Sequence, residues 1–285
     1  MAVNIQTNRF LSEFSTFGIG GPIRYFLEVH DVADVQEAYR WAQSEKIPVL
    51  ILGKGSNCLF SDQPYEGLVI LNKIDFCEWE EKSVFVGAGY SFSLLGVQTA
   101  RRGLSGLEFA SGIPASVGGA IFMNAGANGQ ETCECLQSVT YLLPSGEGRE
   151  YTRAELSFGY RTSPFQTMEG CILAARFELK PCETARKSQL EIVDYRMKTQ
   201  PYKEKSAGCI FRNPKPGIHA GVLIDRSGLK GLQVGGAKVS EMHANFIVNA
   251  GGAKASDVLE LIRQVQNLVQ QKTGHHLEPE IRVIE

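Results

Sequence analysis

The sequence is short of the features that would classify it at a glance. Its seven cysteines (Cys58, Cys77, Cys133, Cys135, Cys171, Cys182 and Cys209) include no CxxC pair, which removes the zinc-knuckle and thioredoxin readings. Basic residues are not in excess. Lys+Arg number 29 against 31 Asp+Glu, a net charge of −2, so no electrostatic footprint for nucleic acid exists. No apolar run approaches the ~20 residues that span a bilayer. The first residues, MAVNIQTNRF, are polar, so no secretory leader is expected, and free thiols in a reducing cytoplasm are the simplest reading of the cysteines. His275 and His276 are adjacent and cannot both face one ion, so a solvated helix end is expected there and no metal site. Internal repeats and low-complexity tracts are absent as well. What remains is ordinary globular composition, 43% hydrophobic and 21% charged over 285 residues, enough for one large or two modest domains.

Glycine, by contrast, is concentrated. Residues 103–131, GLSGLEFASGIPASVGGAIFMNAGANGQE, hold seven glycines interleaved with Leu107, Phe109, Ile113, Val117, Ile121, Phe122 and Met123. A flexible linker would be polar. This stretch must pack in a core while bare backbone approaches something closely. Buried polar backbone needs partners, and a bound anion or cofactor supplies them.

Periodicity and punctuation place the elements around it. Asp31 opens a helix whose Val32, Val35, Tyr39 and Ala42 share one face, with Pro48 beyond its end. A strand Val49–Leu52 then leads into the turn Gly53-Lys54-Gly55-Ser56-Asn57. Segments 68–71 and 84–86 read as strands, and Ser91 as the cap of a helix running to Arg102 and stopped by Gly103. Segments 138–143 and 148–151 flank Pro144-Ser145-Gly146 as a hairpin, and 172–179 is a further strand. Pro181 marks a boundary near 180–184, followed by a helix over about 185–198. Ser256 is expected to cap the clearest helix, with a stripe of Val258, Leu261, Ile262, Val265, Leu268 and Val269 closed by Gly274. The last strand is expected over 277–284. The mixture argues an α+β fold.

Several short segments could carry chemistry. The 53–57 turn follows a strand, as a phosphate-cradling turn should. It lacks the GK[ST] ending of a P-loop, and Cys58 stands where a dinucleotide fingerprint needs its third glycine. Alone it reads as a tight turn, but a second glycine-rich segment shifts the balance toward a dinucleotide. Arg161, in SFGYRTSPF, offers a planar fork for a carboxylate or phosphate, or is a surface arginine on a turn. Cys209, in GCIFRNP, is either a buried structural thiol or a proton donor or nucleophile. Glu280, in LEPEIRVIE, is a strand carboxylate by default.

Together these segments resemble one family. STFGIGG at 15–21, GKGSNCLFSD at 53–62, GLEFASGIPASVGGAIFMNAGANGQE at 106–131, YRTSPF at 160–165, GCIFRNP at 208–214, AGVLIDRSGLKG at 220–231, HANFIVN at 243–249 and LEPEIR at 277–282 are similar, in order and spacing, to the UDP-N-acetylenolpyruvoylglucosamine reductases of bacterial cell-wall precursor synthesis. The chain looks like the shorter form, without an extra tyrosine-bearing substrate loop.

The resemblance implies a vanillyl-alcohol-oxidase-type FAD-binding region over 1–182, split near 72, followed by a smaller α+β substrate domain over 183–285. It implies FAD as cofactor and NADPH as hydride donor, acting on UDP-N-acetylglucosamine enolpyruvate in a cytoplasmic monomer with no nucleic-acid or membrane partner. The implied flavin contacts are Gly53, Lys54, Gly55, Ser56 and Asn57, then Ser111, Gly112, Pro114, Val117, Gly118, Gly119, Asn124 and Gly126. Tyr160, Lys198 and Asn213 are the implied substrate contacts. Arg161, Cys209 and Glu280 are the implied catalytic residues.

Hydride addition to the enol ether leaves negative charge beside the substrate carboxylate, which Arg161 can stabilise. Glu280 helps there only if protonated or bridged, which implies a raised pKa. The family's proton donor is usually serine, and this chain has Cys209. An unperturbed thiol ionises near pH ~8.5 and is the stronger acid.

Overall fold

A computed structural model describes residues 4–285. By packing, the chain forms two compact units that interleave in sequence. The first comprises Tyr25–Lys54 and Glu66–Arg196, with residues 4–7. The second comprises Asn8–Arg24, Gly55–Tyr65 and Met197–Glu285. This division differs from a boundary at 180–184. The helix Ala185–Thr199 stays with the first unit through Arg196, and two early segments join the C-terminal part.

The first unit has two cores. In one, the strand Val49–Leu52 runs parallel to Tyr65–Asn72 in the register Val49↔Leu68 to Leu52↔Leu71, and Pro22–Val29 flanks the latter. The helix Val32–Glu45 packs on these strands through Val35, Ala38, Tyr39 and Ala42. Asp31 caps it, accepting from the Asp34 N–H at 2.9 Å. Val32, the first residue of the helix, does not join this face and is 42% exposed.

The other core lies on a five-stranded antiparallel sheet ordered Gly148–Thr152, Leu136–Leu142, Cys171–Glu178, Ser83–Gly87, Cys77–Trp79. Helix Phe92–Arg101 and the short helix Val117–Phe122 cover it, burying Phe92, Leu95, Val117 and Ile121 with Val84, Val139 and Phe177. The glycine-rich stretch is therefore core-lining backbone.

The second unit is built on a four-stranded antiparallel sheet ordered Ser206–Cys209, Phe246–Asn249, Ala237–Val239, Gln233–Val234. Helix Ala255–Thr273 closes its core with Val258, Leu261, Ile262, Val265 and Val269. Each such side chain contributes about 2 kcal/mol by burial. Ser256 is not the cap of this helix. The helix begins at Ala255, and Asp62 accepts from the N–H groups of Ala255 at 3.0 Å and Ser256 at 3.4 Å, while Asp257 accepts from Lys254 N–H. A carboxylate 193 residues away thus satisfies donors that a local serine was expected to take.

The last strand is also shorter than expected. Only Arg282–Ile284 pairs regularly, parallel to Cys58–Phe60. Residues 278–280 instead pair antiparallel with 210–212 about a Phe211–Pro279 bridge, Arg212 N–H donating to Glu278 O at 2.9 Å and Glu280 N–H to Ile210 O at 2.7 Å, so that no N–H is required of Pro279.

Candidate active site

In the first unit the two glycine-rich segments meet. The strand Val49–Leu52 delivers Gly53 against Ser116, the cap of the helix Val117–Phe122. A Cβ on Gly53 would lie 2.2 Å from Ser116 Oγ, so only glycine fits without displacement. Ser116 Oγ is committed, accepting from Gly119 N–H at 3.2 Å. Beside it, Lys54 Nζ donates to Ser91 Oγ at 3.0 Å, and burial, with Lys73 nearby, lowers the Lys54 pKa. Ser91 caps the helix Phe92–Arg101 and bridges to Ser116. Three caps and turns therefore converge, and the first N–H groups of the helix Val117–Phe122 are held within the protein, Val117 by Tyr90 O at 2.9 Å, Gly118 by Ala88 O at 2.8 Å and Gly119 by Ser116 Oγ.

Ser111 lies in the same stretch, fully buried, and its Oγ has no hydrogen-bond partner in the protein. A buried hydroxyl left unpaired costs about 1–3 kcal/mol, and a polar ligand would remove that cost. Gly112 N–H is held by Ser93 Oγ at 2.7 Å. Close-set glycine backbone, a cation and an orphaned hydroxyl fit the flavin dinucleotide that the sequence implied. The side chain of Asn124 is committed elsewhere, as Nδ2 donates to Glu131 at 2.8 Å and to Gly159 O at 2.9 Å, and Oδ1 accepts from Cys133 N–H at 3.1 Å.

Tyr160 and Arg161 sit at the tip of a tight turn closed by reciprocal hydrogen bonds between Gly159 and Thr162, at 3.2 and 3.0 Å. Arg161 Nη2 donates to Gly126 O at 2.8 Å, and its guanidinium lies 4.8 Å from the Tyr160 ring centroid. The turn thus brings Arg161 to the far end of the glycine-rich stretch.

The second unit holds the rest. Cys209 ends the strand Ser206–Cys209 opposite Phe246, after a register shift in the pairing. Gly208, at φ +77°, takes the left-handed conformation that such a bulge needs, and the bulge re-aims the residue that follows. Ile210 N–H donates to Asn245 O at 2.8 Å, and Ile210 O accepts from Glu280 N–H at 2.7 Å. Cys209 and Glu280 therefore flank one shared backbone position. Asn57 Nδ2 donates to Glu280 O at 3.2 Å, tying the 55–57 turn to the same place. Asn245, 4% exposed, exchanges bonds with Phe211, accepting from its N–H at 3.0 Å and donating to its carbonyl at 2.8 Å. Asn213 Oδ1 accepts from Ala220 N–H at 3.0 Å, which fixes the start of the helix Ala220–Arg226.

Of the residues implied by the sequence, Gly53, Lys54, Ser111, Gly112, Pro114, Val117, Gly118, Gly119, Asn124, Gly126, Tyr160 and Arg161 fall in the first unit. Gly55, Ser56, Asn57, Lys198, Cys209, Asn213 and Glu280 fall in the second. Sequence reasoning missed Ser116 and Asn245. The S-x-x-G spacing at 116–119 signalled the first, and nothing local signalled the second. Each cysteine is a free thiol, and burial pushes Cys58 up to about 11 and Cys171 up to about 12, which keeps both protonated. Among the described residues no helix is long and apolar enough to cross a membrane.

Comparison with known proteins agrees with this layout. A family described as "FAD binding domain" matches residues 23–151, and one described as "UDP-N-acetylenolpyruvoylglucosamine reductase, C-terminal domain" matches 200–284. The order is that of the expected fold, a flavin-binding region followed by a smaller domain. The UDP-N-acetylenolpyruvoylglucosamine reductase of Protochlamydia amoebophila is 58% identical over 98% of this chain and 93% of its own length. That of Chlamydia muridarum is 46% identical over 99% and 95%. The crystal structure of the reductase from Thermus caldophilus superposes with a TM-score of 0.85 at 40% identity, covering 100% of both chains. With fold, segment order and near-complete coverage in agreement, the chain belongs to the UDP-N-acetylenolpyruvoylglucosamine reductase family.

Proposed function

We propose that this protein reduces UDP-N-acetylglucosamine enolpyruvate to UDP-N-acetylmuramate, with FAD as its cofactor and NADPH as the hydride donor. The observation that carries the reading is the 58% identity to a reductase of that name over 98% of the chain. When bound, FAD would supply the hydride-transfer chemistry that links NADPH to the enolpyruvyl methylene. Gly53, Lys54, Gly55, Ser56, Asn57, Ser111, Gly112, Pro114, Val117, Gly118, Gly119, Asn124 and Gly126 are the proposed contacts for it. The orphaned Ser111 Oγ and the glycine-only fit at Gly53 support that assignment.

The protein's own residues handle charge and protons. Arg161 carries a fixed positive fork to stabilise the negative charge that develops beside the substrate carboxylate. Cys209 holds the proton that the adjacent carbon receives. Its place after the Gly208 bulge supports this role, because the bulge sets the direction of the thiol. Glu280 shares the Ile210 backbone position with Cys209 and, when protonated, donates a hydrogen bond to the same charge. Tyr160, Lys198 and Asn213 are the proposed substrate contacts.

Region 1–182 serves FAD and 183–285 serves substrate in this account. The two family matches, at 23–151 and 200–284, lie on either side of that boundary. The protein works as a cytoplasmic monomer without membrane or nucleic-acid partners. The test is product analysis. FAD-loaded protein given NADPH and the enolpyruvyl substrate should form UDP-N-acetylmuramate by mass spectrometry as NADPH is consumed, and unchanged substrate would refute the activity.

A further inference from the structure

Arg161 stands in a conformation that arginine does not choose for itself. Its φ is +58°, where an L side chain crowds its own backbone, so the surroundings must hold it there. The turn bonds between Gly159 and Thr162 close one side. The guanidinium bond to Gly126 O fixes the far end of the side chain. The third hold is Gln166, whose Nε2 donates to Arg161 O at 3.0 Å and to Phe122 O at 2.9 Å. Phe122 is the last residue of the helix Val117–Phe122, and Ser163 Oγ donates to the same carbonyl at 2.7 Å.

A primary amide carries two N–H donors. Gln166 places one on the arginine's backbone and the other on the end of the glycine-rich helix. It therefore couples the left-handed arginine to the element proposed to line the flavin.

We infer that Gln166 is a positioning residue for the reduction step. It fixes the backbone of Arg161 and hence the place of the guanidinium, without itself touching substrate. The inference rests on the proposed role of Arg161.

The test uses FAD-loaded protein in anaerobic stopped flow, with the two half-reactions measured separately. Gln166→Met keeps the side chain's length and removes both donors. Displacing a group by an ångström costs as much as ~10²-fold in rate. Reoxidation by the enolpyruvyl substrate should therefore slow about tenfold or more, with kcat falling further than KM rises. Reduction by NADPH should stay within about twofold, since that step does not use the arginine's charge. Gln166→Lys, whose ammonium carries three donors, should recover most of the loss. Should the methionine variant fail to retain FAD, Gln166→Glu, which loses the amide donors at constant shape, is read in its place.

Wild-type reoxidation in the donor-free variant, alongside slow reoxidation in Arg161→Ala, would overturn the positioning role. So would equal slowing of both half-reactions, or no recovery with lysine. Wild-type reoxidation in Arg161→Ala would instead overturn the arginine's own role.

Discussion

Adding one methyl group at Gly53 tests the packing that brings the two glycine-rich segments together. In Gly53→Ala the new Cβ would stand 2.2 Å from Ser116 Oγ, about 1 Å inside normal contact. Ser116 is 3% exposed, so its hydroxyl cannot simply turn out to solvent. It must rotate away from Gly119 N–H, a cap bond of 3.2 Å worth about 1 kcal/mol. Residual overpacking adds about 1–3 kcal/mol.

The single variant should therefore lose about 2–4 kcal/mol. Ser116→Ala alone loses about 1 kcal/mol, the cap. In the double variant the clashing oxygen is gone and the closest remaining contact, to the Ser116 Cβ position, is 3.3 Å. Its loss should be well below the sum of the singles, with a coupling of about 1–2 kcal/mol in its favour. Both tryptophans, Trp41 and Trp79, lie in the first unit, so urea unfolding followed by their fluorescence reports on that unit. FAD affinity, followed by flavin fluorescence, should fall in Gly53→Ala and partly recover in the double variant. Additive losses would refute the contact.

Other residues give independent checks. Asp62→Ala strips the start of the helix Ala255–Thr273 of its carboxylate and should lose about 1–2 kcal/mol, lowering the melting temperature by several degrees in circular dichroism; an unchanged transition would show that water replaces it at no cost. Cys209→Ala should leave reduction by NADPH intact and slow reoxidation by substrate about 10²-fold, while Cys209→Ser retains most of the rate. If the thiol is the donor, the wild type should also inactivate faster than Cys209→Ser during aerobic NADPH turnover without substrate, and equal rates would argue against an exposed reactive thiolate. Burial holds the His243 imidazole below its ordinary value of 6.5. The unfolded chain then takes up the proton first, so the stability gained from a neutral ring is complete above pH 6.5 and is lost as pH falls through the lowered folded value. Denaturant midpoints of His243→Asn should vary less than wild type between about pH 7 and pH 5; parallel curves would assign the pH dependence elsewhere.

The sequence was readable where structure is local. Asp31 and the spacing of Val35, Tyr39 and Ala42 carry their own helix, and the strand before Gly53 carries its own turn. It was opaque where a distant group decides. Ser256 looked like a cap because Asp62 is invisible from 193 positions away. The 277–284 segment reads as one strand, but its two halves take different distant partners, Pro279 bridging to Phe211 and Arg282–Ile284 pairing with Cys58–Phe60.

In the site, resemblance proposes the chemistry-bearing residues, but the groups that hold their backbone leave no mark in the sequence. Asn245 imitates a strand partner for Phe211, and Gln166 joins two carbonyls that are 39 positions apart in the chain, at Phe122 and Arg161. Both act on backbone, and backbone partners leave no periodicity to read. The interleaving of the packing units was hidden for a related reason. The turn at 53–57 is divided between them after Lys54, although nothing in its composition changes there.

One bound flavin is proposed to serve both NADPH and the enolpyruvyl sugar nucleotide. The most direct test is anaerobic absorbance of the FAD-loaded protein with sequential additions. NADPH should bleach the flavin band, and UDP-N-acetylglucosamine enolpyruvate should restore it with stoichiometric UDP-N-acetylmuramate. Bleaching without recovery, or a protein that binds no FAD, would contradict the claim.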